Sequence, residues 1–156
     1  MALQKITPFL WFDTQAEAAA DFYVSMFPNS NVGKVARYTD AGRGPAGSTM
    51  TVEFTLDGLQ FIGLNGGPHF KFTEAVSFSV SCETQQEIDH YWEKLTADGG
   101  AAVQCGWLKD KFGLSWQIVP AVLSELVSDP KKPQRVMAAM MTMVKLDIAG
   151  LKQAGE

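Results

Sequence analysis

The glutamine at position 117 lies in the middle of a segment whose residue types could line a binding site. Residues 112–119 alternate, which predicts a strand with two distinct faces. One face carries Phe112, Leu114, Trp116 and Ile118, and the other carries Gly113, Ser115, Gln117 and Val119. Because a buried amide needs hydrogen-bond partners, Gln117 either completes a structural network or faces a cavity that holds a ligand.

Two other segments of the chain alternate in the same way. In one, Ser77, Ser79 and Ser81 oppose Val76, Phe78, Val80 and Cys82, and in the other, Thr49, Thr51, Glu53 and Thr55 oppose Met50, Val52, Phe54 and Leu56. We expect the bulky faces to pack on helices and the small polar faces to form an open cup, with Glu53 as its carboxylate. The alternative is that the polar residues are only the solvated face of an antiparallel sheet.

Aromatic and basic residues near these segments could complete a pocket. Candidate walls are Phe9, Trp11, Phe70, Phe72 and Trp107, since small-molecule pockets combine apolar walls with a few polar groups. Lys71, Lys109 and Lys111 could attract an anionic ligand or could simply be solvated. Arg37 and Glu53, on neighbouring predicted strands, are interpreted as a cross-strand pair.

Histidine and cysteine are scarce. His90 lies off the apolar stripe of a predicted helix and is interpreted as a surface residue, whereas His69 could reach the cup. Two cysteines, Cys82 and Cys105, are too few for a disulfide framework, so we expect thiols in the core or lining a pocket. Neither has an adjacent histidine that would lower the pKa of the thiol and make it a nucleophile.

The composition limits the classes of partner. The chain has 156 residues, is 46% hydrophobic and carries a net charge of −4, which predicts a globular protein without the basic surface that nucleic acid requires. No apolar run is long enough to span a membrane, and the N-terminus does not resemble a signal peptide. We therefore expect a cytoplasmic protein that binds neither nucleic acid nor membranes.

The predicted elements follow a repeated order. Residues 6–12 form a strand, and Asp13 or Thr14 caps a helix that ends before Pro28. Strands over 32–38, 49–56 and 59–65 follow, with a glycine-rich loop at 40–48 and an Asp57–Gly58 hairpin between the last two strands. The order then repeats with a strand at 75–82, a helix at 84–100 and strands at 103–109 and 112–119. A short helix over 120–127 and a methionine-rich helix over 135–146 complete the predicted elements, and Asp147 could cap one more turn. The stripe of Val136, Met140 and Met143 with Met137, Met141 and Val144 covers either the core or a partner subunit.

Two successive units of this kind resemble the glyoxalase and bleomycin-resistance superfamily, also called vicinal oxygen chelate proteins. The stretches ITPFLWFD, DFYVSMFPNS, FTLDGLQFIGLNGGPHFKF and CGWLKDKFGLSWQIVP resemble the PhnB-like branch, whose members often carry the label 3-demethylubiquinone-9 3-methyltransferase. The resemblance implies an α+β fold in which two tandem βαβββ units form a curved mixed sheet. It implies a single domain over 1–156, with units at 1–66 and 74–120 and a helical extension at 121–156.

The resemblance also places the residues that hold a metal in other members of the superfamily. Those positions fall near Thr7 or Pro8 and at Asn65, Ser77 and Gln117 in this chain. Hydroxyl and amide groups are neutral and do not offset the cost of dehydrating a divalent cation as imidazole or carboxylate does. We therefore expect no metal and no cofactor.

These considerations lead to a predicted function and its alternatives. The chain is interpreted as a homodimeric, metal-independent protein or enzyme that binds a small molecule in a polar cup. The predicted ligand-binding residues are Trp11, Glu53, Asn65, His69, Phe70, Ser77, Trp107 and Gln117. Alternatives are a metal-dependent lyase, isomerase or dioxygenase with displaced ligands, and a resistance protein that sequesters a toxic compound. The methyltransferase label is not taken literally, because the chain lacks the glycine-rich strand-to-helix turn that cradles a nucleotide-like cofactor.

Overall fold

The computed structural model describes residues 4–156, and the chain divides into two compact units. The first unit ends at Lys71 and the second is Phe72–Glu156. Each unit contains a strand, a helix and three further strands in that order. The predicted α+β fold with two tandem βαβββ units is therefore confirmed.

The first unit is a four-stranded mixed sheet covered by one helix. Its elements are β1 (Phe9–Phe12), α1 (Ala16–Val24), β2 (Asn31–Arg37), β3 (Thr49–Leu56) and β4 (Leu59–Asn65). The strand order is β1-β4-β3-β2, with β1 parallel to β4 and the other pairs antiparallel. The β3–β4 hairpin turns at Asp57 and Gly58, whose φ angles of 46° and 83° are those that an Asp-Gly turn accommodates.

Small residues let α1 approach this sheet closely. Ala16, Ala19 and Ala20 are fully buried, and a Cβ added at Gly63 of β4 would lie 3.2 Å from the Ala16 Cβ. Beyond them the core is aromatic, with stacked ring pairs Tyr23–Phe54 and Phe54–Phe61 at centroid distances of 6.1 and 5.3 Å. One face of each strand is thereby committed to α1, and the opposite face is left for other contacts.

The second unit repeats this order and adds three helices. Its elements are β5 (Ser77–Cys82), α2 (Gln85–Thr96), β6 (Ala101–Ala102), β7 (Trp107–Lys109), β8 (Ser115–Pro120), α3 (Leu123–Ser128), α4 (Pro133–Met141) and α5 (Ile148–Ala154). The strand order is β5-β8-β7-β6, with β5 parallel to β8. The prediction of one strand over 103–109 was wrong, because Cys105 and Gly106 have φ angles of 61° and 83° that interrupt extended backbone.

Helix α2 packs on one face of the second sheet. Thr84 caps it by accepting a hydrogen bond from the Glu87 amide at 3.1 Å. Its apolar stripe of Ile88, Tyr91 and Leu95 is buried, as its spacing predicts. The strand residues of the alternating apolar face, among them Leu108, Trp116 and Ile118, are buried as well.

The C-terminal helices close over a small cluster of their own within the second unit. Val136, Leu146 and Leu151 are fully buried, with Met140 and Met143 packed against them. Only part of the predicted methionine stripe is therefore covered. Met137, Met141 and Val144 remain 41%, 60% and 48% exposed.

Polar contacts fix the segment that precedes α5. The Gln85 side chain of α2 donates to the Leu146 carbonyl at 3.1 Å and accepts from the Ile148 amide at 2.9 Å. Asp147 caps α5, as predicted, by accepting from the Gly150 amide at 3.2 Å. No helix within residues 4–156 is long and apolar enough to cross a membrane.

Candidate functional site

A buried aspartate organises the turn that leads into β8. Asp110 is 2% exposed, and its Oδ1 accepts hydrogen bonds from the amides of Phe112 at 2.9 Å and Leu114 at 3.1 Å. Its Oδ2 accepts from the Trp116 Nε1 at 2.9 Å. Sequence reasoning missed this residue, although an aspartate three residues before Gly113 is a signal for a turn in which the carboxylate binds the backbone. Asp110 thus stabilises the turn from which β8 begins.

Three of the predicted ligand-binding residues come together on the second sheet. The Gln117 Nε2 donates to the Ser77 Oγ at 2.9 Å, across the parallel β5–β8 pair. Trp107 of β7 lies directly opposite Gln117 in the antiparallel register. Alternation places these residues on the face away from α2, and we call Ser77, Ser79, Trp107, Ser115 and Gln117 the polar face.

Ser115 is the most buried member of the polar face. It is paired in register with Ser77 on one side and Lys109 on the other. Its side chain is 1% exposed, and within residues 4–156 its Oγ has no hydrogen-bond partner. Buried hydroxyl groups are nearly always paired, so this oxygen is an exception, and its burial keeps it out of reach of a ligand on the surface.

The neighbouring charges are paired with each other. The Lys109 ammonium forms an ion pair with Glu74, and the hydrogen bond from Lys109 holds the pKa of the Glu74 carboxyl below its usual value. The predicted role of Lys109 in attracting an anion therefore competes with an existing partner.

Farther along the same face, a shallow pocket of about 310 Å³ lies between the strand ends and α3. Its lining includes Ser79, Ser81, Val119, Leu123 and Val127.

The other predicted site residues belong to the first unit, where a larger cavity is found. This cavity of about 810 Å³, which we call the aromatic cleft, opens at the carboxyl ends of β1 and β4. Its lining comprises Trp11, Asp13, Thr14, Glu17, Tyr38, Gly42, Arg43, Gly44, Pro45, Ser48, Thr49, Met50, Leu64, Asn65, Gly66, Gly67, Pro68 and His69. Trp11, Asn65 and His69 were predicted from the sequence. Phe70 is 66% exposed and contacts the Trp11 ring from the following loop.

The side chain of Asn65 is occupied by backbone partners. Its Oδ1 accepts from the Ala16 amide at 2.8 Å, and its Nδ2 donates to the Thr49 carbonyl at 3.2 Å. The prediction that Asp13 or Thr14 caps α1 was wrong, because the residue at the cap position is Gln15, without a side-chain bond, and Asn65 supplies the acceptor from β4. Sequence patterns detect caps that are local in the chain, whereas this one comes from 49 residues away.

A bulge in β3 changes the predicted face of one residue. The register shifts between Ala36 and Arg37, so that Ala36 pairs with Thr51 and Arg37 with Thr49. The extra residue turns Thr49 away from the face shared by Thr51 and Glu53, and the Thr49 hydroxyl donates to Glu17 of α1. The prediction of an Arg37–Glu53 pair was also wrong, because Arg37 donates instead to the Gly47 carbonyl at 3.2 Å.

Glu53 lies within the first sheet, away from the cleft. It pairs in register with Ile62 of β4 and is partly buried. A Cβ built on Gly33 would lie 3.5 Å from the Glu53 Cβ. The structure therefore places Glu53 on the side of β3 that faces away from α1, as its alternation predicts.

The two thiols have different surroundings. Cys82 is fully buried, as predicted for a core cysteine, and burial, assisted by the charge of Glu87, raises the pKa of its thiol to about 12. Cys105 is partly exposed, and its Sγ lies 3.6 Å from the Met141 Sδ. Cys82 therefore stays protonated at neutral pH and is not a nucleophile.

The donor atoms do not suit a transition metal. In the described part of the chain, no group of three or more histidine, cysteine, aspartate or glutamate side chains is close enough to hold an ion. Asn65 is engaged with backbone groups, and Gln117 and Ser77 bind each other. Neutral amide and hydroxyl groups that already have partners are poor ligands for a divalent cation.

Comparison with known proteins identifies a family model and several similar structures. The model described as 3-demethylubiquinone-9 3-methyltransferase matches residues 4–119. A PhnB protein from Bacillus cereus, titled with the same enzyme name, is 39% identical over 76% of this chain and 100% of its own, with a TM-score of 0.69. No curated protein matches the chain.

Two more distant structures share the fold. The protein PA1353 from Pseudomonas aeruginosa is 18% identical over 76% of this chain and 98% of its own, with a TM-score of 0.61. The fosfomycin resistance protein FosX from Listeria monocytogenes, in complex with Mn(II) and sulfate, is 15% identical over 82% of this chain and 98% of its own, with a TM-score of 0.54. At these identities the similarity concerns the fold alone.

Proposed function

Because the chain belongs to the family described as 3-demethylubiquinone-9 3-methyltransferase, within the glyoxalase and bleomycin-resistance superfamily, we propose that it binds a small polar molecule at its polar face without a metal ion. The observation that carries this proposal is the hydrogen bond between the partly exposed side chains of Gln117 and Ser77, with Trp107 opposite Gln117 in register. A ligand that bonds to both side chains replaces the water they would otherwise bind.

The remaining bonding capacity of the polar face defines the ligand. With its Nε2 directed to Ser77, Gln117 keeps its Oε1 as an acceptor, and Ser77, which accepts that bond, keeps its hydroxyl hydrogen as a donor. The Ser115 hydroxyl is buried beneath this surface, and Trp107 lies opposite Gln117 in register. This arrangement suits a neutral molecule that carries both donors and acceptors, such as an amide or a polyol, with a flat or apolar part that contacts the indole.

Methyl transfer from a nucleotide-like donor is not part of the proposal. The β1–α1 connection is Asp13, Thr14 and Gln15, and the β5–α2 connection is Glu83 and Thr84. Neither contains the glycines that let a backbone approach a bound nucleotide. The proposal therefore concerns binding, and the experiment below distinguishes a binding protein from an enzyme.

The first experiment measures metal content and ligand binding together. Protein purified without chelators is analysed for divalent metals, and a library of small polar metabolites is screened by thermal shift and then by calorimetry. We expect sub-stoichiometric metal and at least one ligand whose affinity falls about fivefold or more in Gln117→Ala and in Ser77→Ala, since each loses a hydrogen bond worth about 1 kcal/mol or more. A stoichiometric divalent ion would instead favour a metal-dependent enzyme.

The matched control is Gln86→Ala, which removes an exposed glutamine from α2. We expect it to leave the affinity for every ligand unchanged. If Gln117→Ala and Ser77→Ala also bind each ligand as tightly as the unaltered protein does, the polar face is not the site. Chromatography of the ligand after incubation distinguishes turnover from sequestration, in which the ligand is recovered intact.

We also propose that the protein is a homodimer, a state supported by the exposed apolar side chains of Met137, Met141 and Val144. Light scattering on the eluting peak of a size-exclusion column tests this proposal. We expect the mass of two chains, and a shift toward one chain in Met141→Lys, because a charge placed in an apolar interface is costly. A monomer of the unaltered chain would exclude it.

A further inference from the structure

The indole ring of Trp11, at one wall of the aromatic cleft, is held in a fixed position. The Trp11 Nε1 donates to the Gly67 carbonyl at 2.9 Å, and the Phe70 ring meets the indole edge-on at a centroid distance of 4.9 Å. A Cβ added at Gly66 would lie 2.3 Å from the indole, so the backbone can pass beneath the ring only as glycine. Trp11 is thereby locked in one orientation.

Tyr38 is held at another wall of the same cleft. Its hydroxyl donates to the Asn65 carbonyl at 2.5 Å. Two glycines of the loop at 40–48 lie against its ring, since a Cβ at Gly42 or Gly44 would come within 2.7 or 2.5 Å of it. The glycine-rich composition of this loop, which predicts irregular structure, thus also serves close packing on an aromatic ring.

The charged groups of the cleft are mostly acidic. Asp13 and Glu17 come from the β1–α1 connection and the first turn of α1, and both are exposed to the cavity. Glu17 is positioned by the hydroxyl of Thr49, which is itself only 7% exposed. Arg43 of the exposed loop and His69 also line the cleft, so two carboxylates stand against one guanidinium there.

We propose that the aromatic cleft is a second binding site, for an organic cation with an aromatic or apolar body. Two carboxylates attract the positive charge, and Trp11 and Tyr38 provide an apolar wall at the cavity. The apolar residues Met50, Leu64, Pro45 and Pro68 accept the body of the ligand. This site shares no residue with the polar face and does not depend on the function proposed there.

Calorimetry with three indoles of similar shape tests the charge preference. The probes are tryptamine, which is cationic, 3-methylindole, which is neutral, and indole-3-propionate, which is anionic. We expect tryptamine to bind about tenfold or more tightly than the other two, the difference that about 1.4 kcal/mol produces. Equal affinity for all three, tighter binding of the anion, or no binding of any probe would overturn the proposal.

Variants locate the binding within the cleft. Glu17→Gln keeps an oxygen that can accept from Thr49 but removes the charge, so we expect tryptamine affinity to fall about tenfold with an unchanged melting temperature. Glu93→Gln, on the exposed surface of α2, is the matched control and should bind as before. Gln117→Ala should also bind tryptamine unchanged, which separates this site from the polar face. Unaltered tryptamine affinity in both Glu17→Gln and Asp13→Asn would place the binding elsewhere.

Discussion

The two units of the chain share a topology but present opposite chemistry on corresponding strands. In the first unit, the parallel β1–β4 pair brings Phe9 next to Ile62 and Trp11 next to Leu64. In the second unit, the parallel β5–β8 pair brings Ser77 next to Ser115 and Ser79 next to Gln117. The repeated backbone pattern therefore fixes which residues are neighbours, and the side chains determine whether the face is apolar or polar.

The faces that pack on the helices are far more alike. Phe54 stacks on Tyr23 of α1 and on Phe61 in the first unit, and Trp116 and Ile118 are buried on the α2 side of the second. Burial of a large apolar side chain contributes roughly 1.5–3 kcal/mol, so both units need such residues on the helix side. The opposite faces are under no such demand, which leaves them free to differ in the ligands they bind.

The β7–β8 hairpin contains Asp110 and the β3–β4 hairpin contains Asp57. Replacing each aspartate in turn gives the largest expected contrast between the two units. In Asp110→Asn, one carboxylate oxygen is replaced by an NH2 group, which cannot accept a hydrogen bond. At least one of the N–H groups of Phe112, Leu114 and Trp116 then loses the acceptor that Asp110 provides. We expect the free energy of unfolding to fall by about 2–3 kcal/mol. Urea denaturation followed by tryptophan fluorescence measures this change.

The matched substitution in the first hairpin is Asp57→Asn. Asp57 is exposed and has a φ of 46°, a conformation that asparagine adopts readily. We expect its unfolding free energy to stay within about 0.5 kcal/mol of the unaltered protein. Similar losses in both variants would show that Asp110 has no special structural role.

A second contrast concerns two glycines of the first unit that differ in the space around them. Gly66→Ala places a methyl group 2.3 Å from the Trp11 indole, which must move. We expect a loss of about 1–3 kcal/mol in unfolding free energy and weaker tryptamine binding, because the cleft wall is displaced. Gly33→Ala is the control, since its nearest contact would be 3.4 Å from the Glu53 carbonyl. If Gly66→Ala binds tryptamine as the unaltered protein does, the fixed orientation of Trp11 does not matter for the cleft.

Alternation of apolar and polar residues predicts most of this fold because it depends only on neighbours along the chain. It correctly separates Ser77 and Gln117 from Phe78 and Trp116, and the Asp57–Gly58 hairpin follows from the conformations those residues adopt. The resemblance to a family supplies the order of strands, which alternation alone does not determine. The pairing of Gln117 with Ser77 then follows from the register of two strands 40 residues apart.

Features that depend on distant contacts escape such reasoning. The bulge that turns Thr49 toward Glu17, the capping of α1 by Asn65 and the packing of the loop glycines on Tyr38 each join segments that are not adjacent in sequence. The aromatic cleft is built from these contacts, so the sequence identifies Trp11, Asn65 and His69 individually but does not reveal Glu17 or Tyr38 beside them. Asp110 is a different case, because all three hydrogen bonds that its carboxylate accepts come from residues within six positions along the chain.

The smallest expected effect is a dependence of the unfolding free energy on pH through a cysteine thiol. It concerns the second unit, because both cysteines of the chain lie there. Burial raises the pKa of Cys82 from 9.0 to about 12, so between these values the unfolded chain releases a proton that the folded chain retains. The stabilisation this provides is complete below pH 9 and declines as the pH rises toward 12. At pH 10 we expect the unaltered protein to have lost about 1 kcal/mol of unfolding free energy relative to pH 8 through this group.

The measurement is the difference between the unaltered protein and Cys82→Ala in urea denaturation at the two pH values, because subtraction removes the contribution of lysines and tyrosines. Cys105→Ala should retain the full decline, and a Cys82→Ala variant that declines equally would mean that the thiol is as accessible to deprotonation in the folded unit as in the unfolded chain.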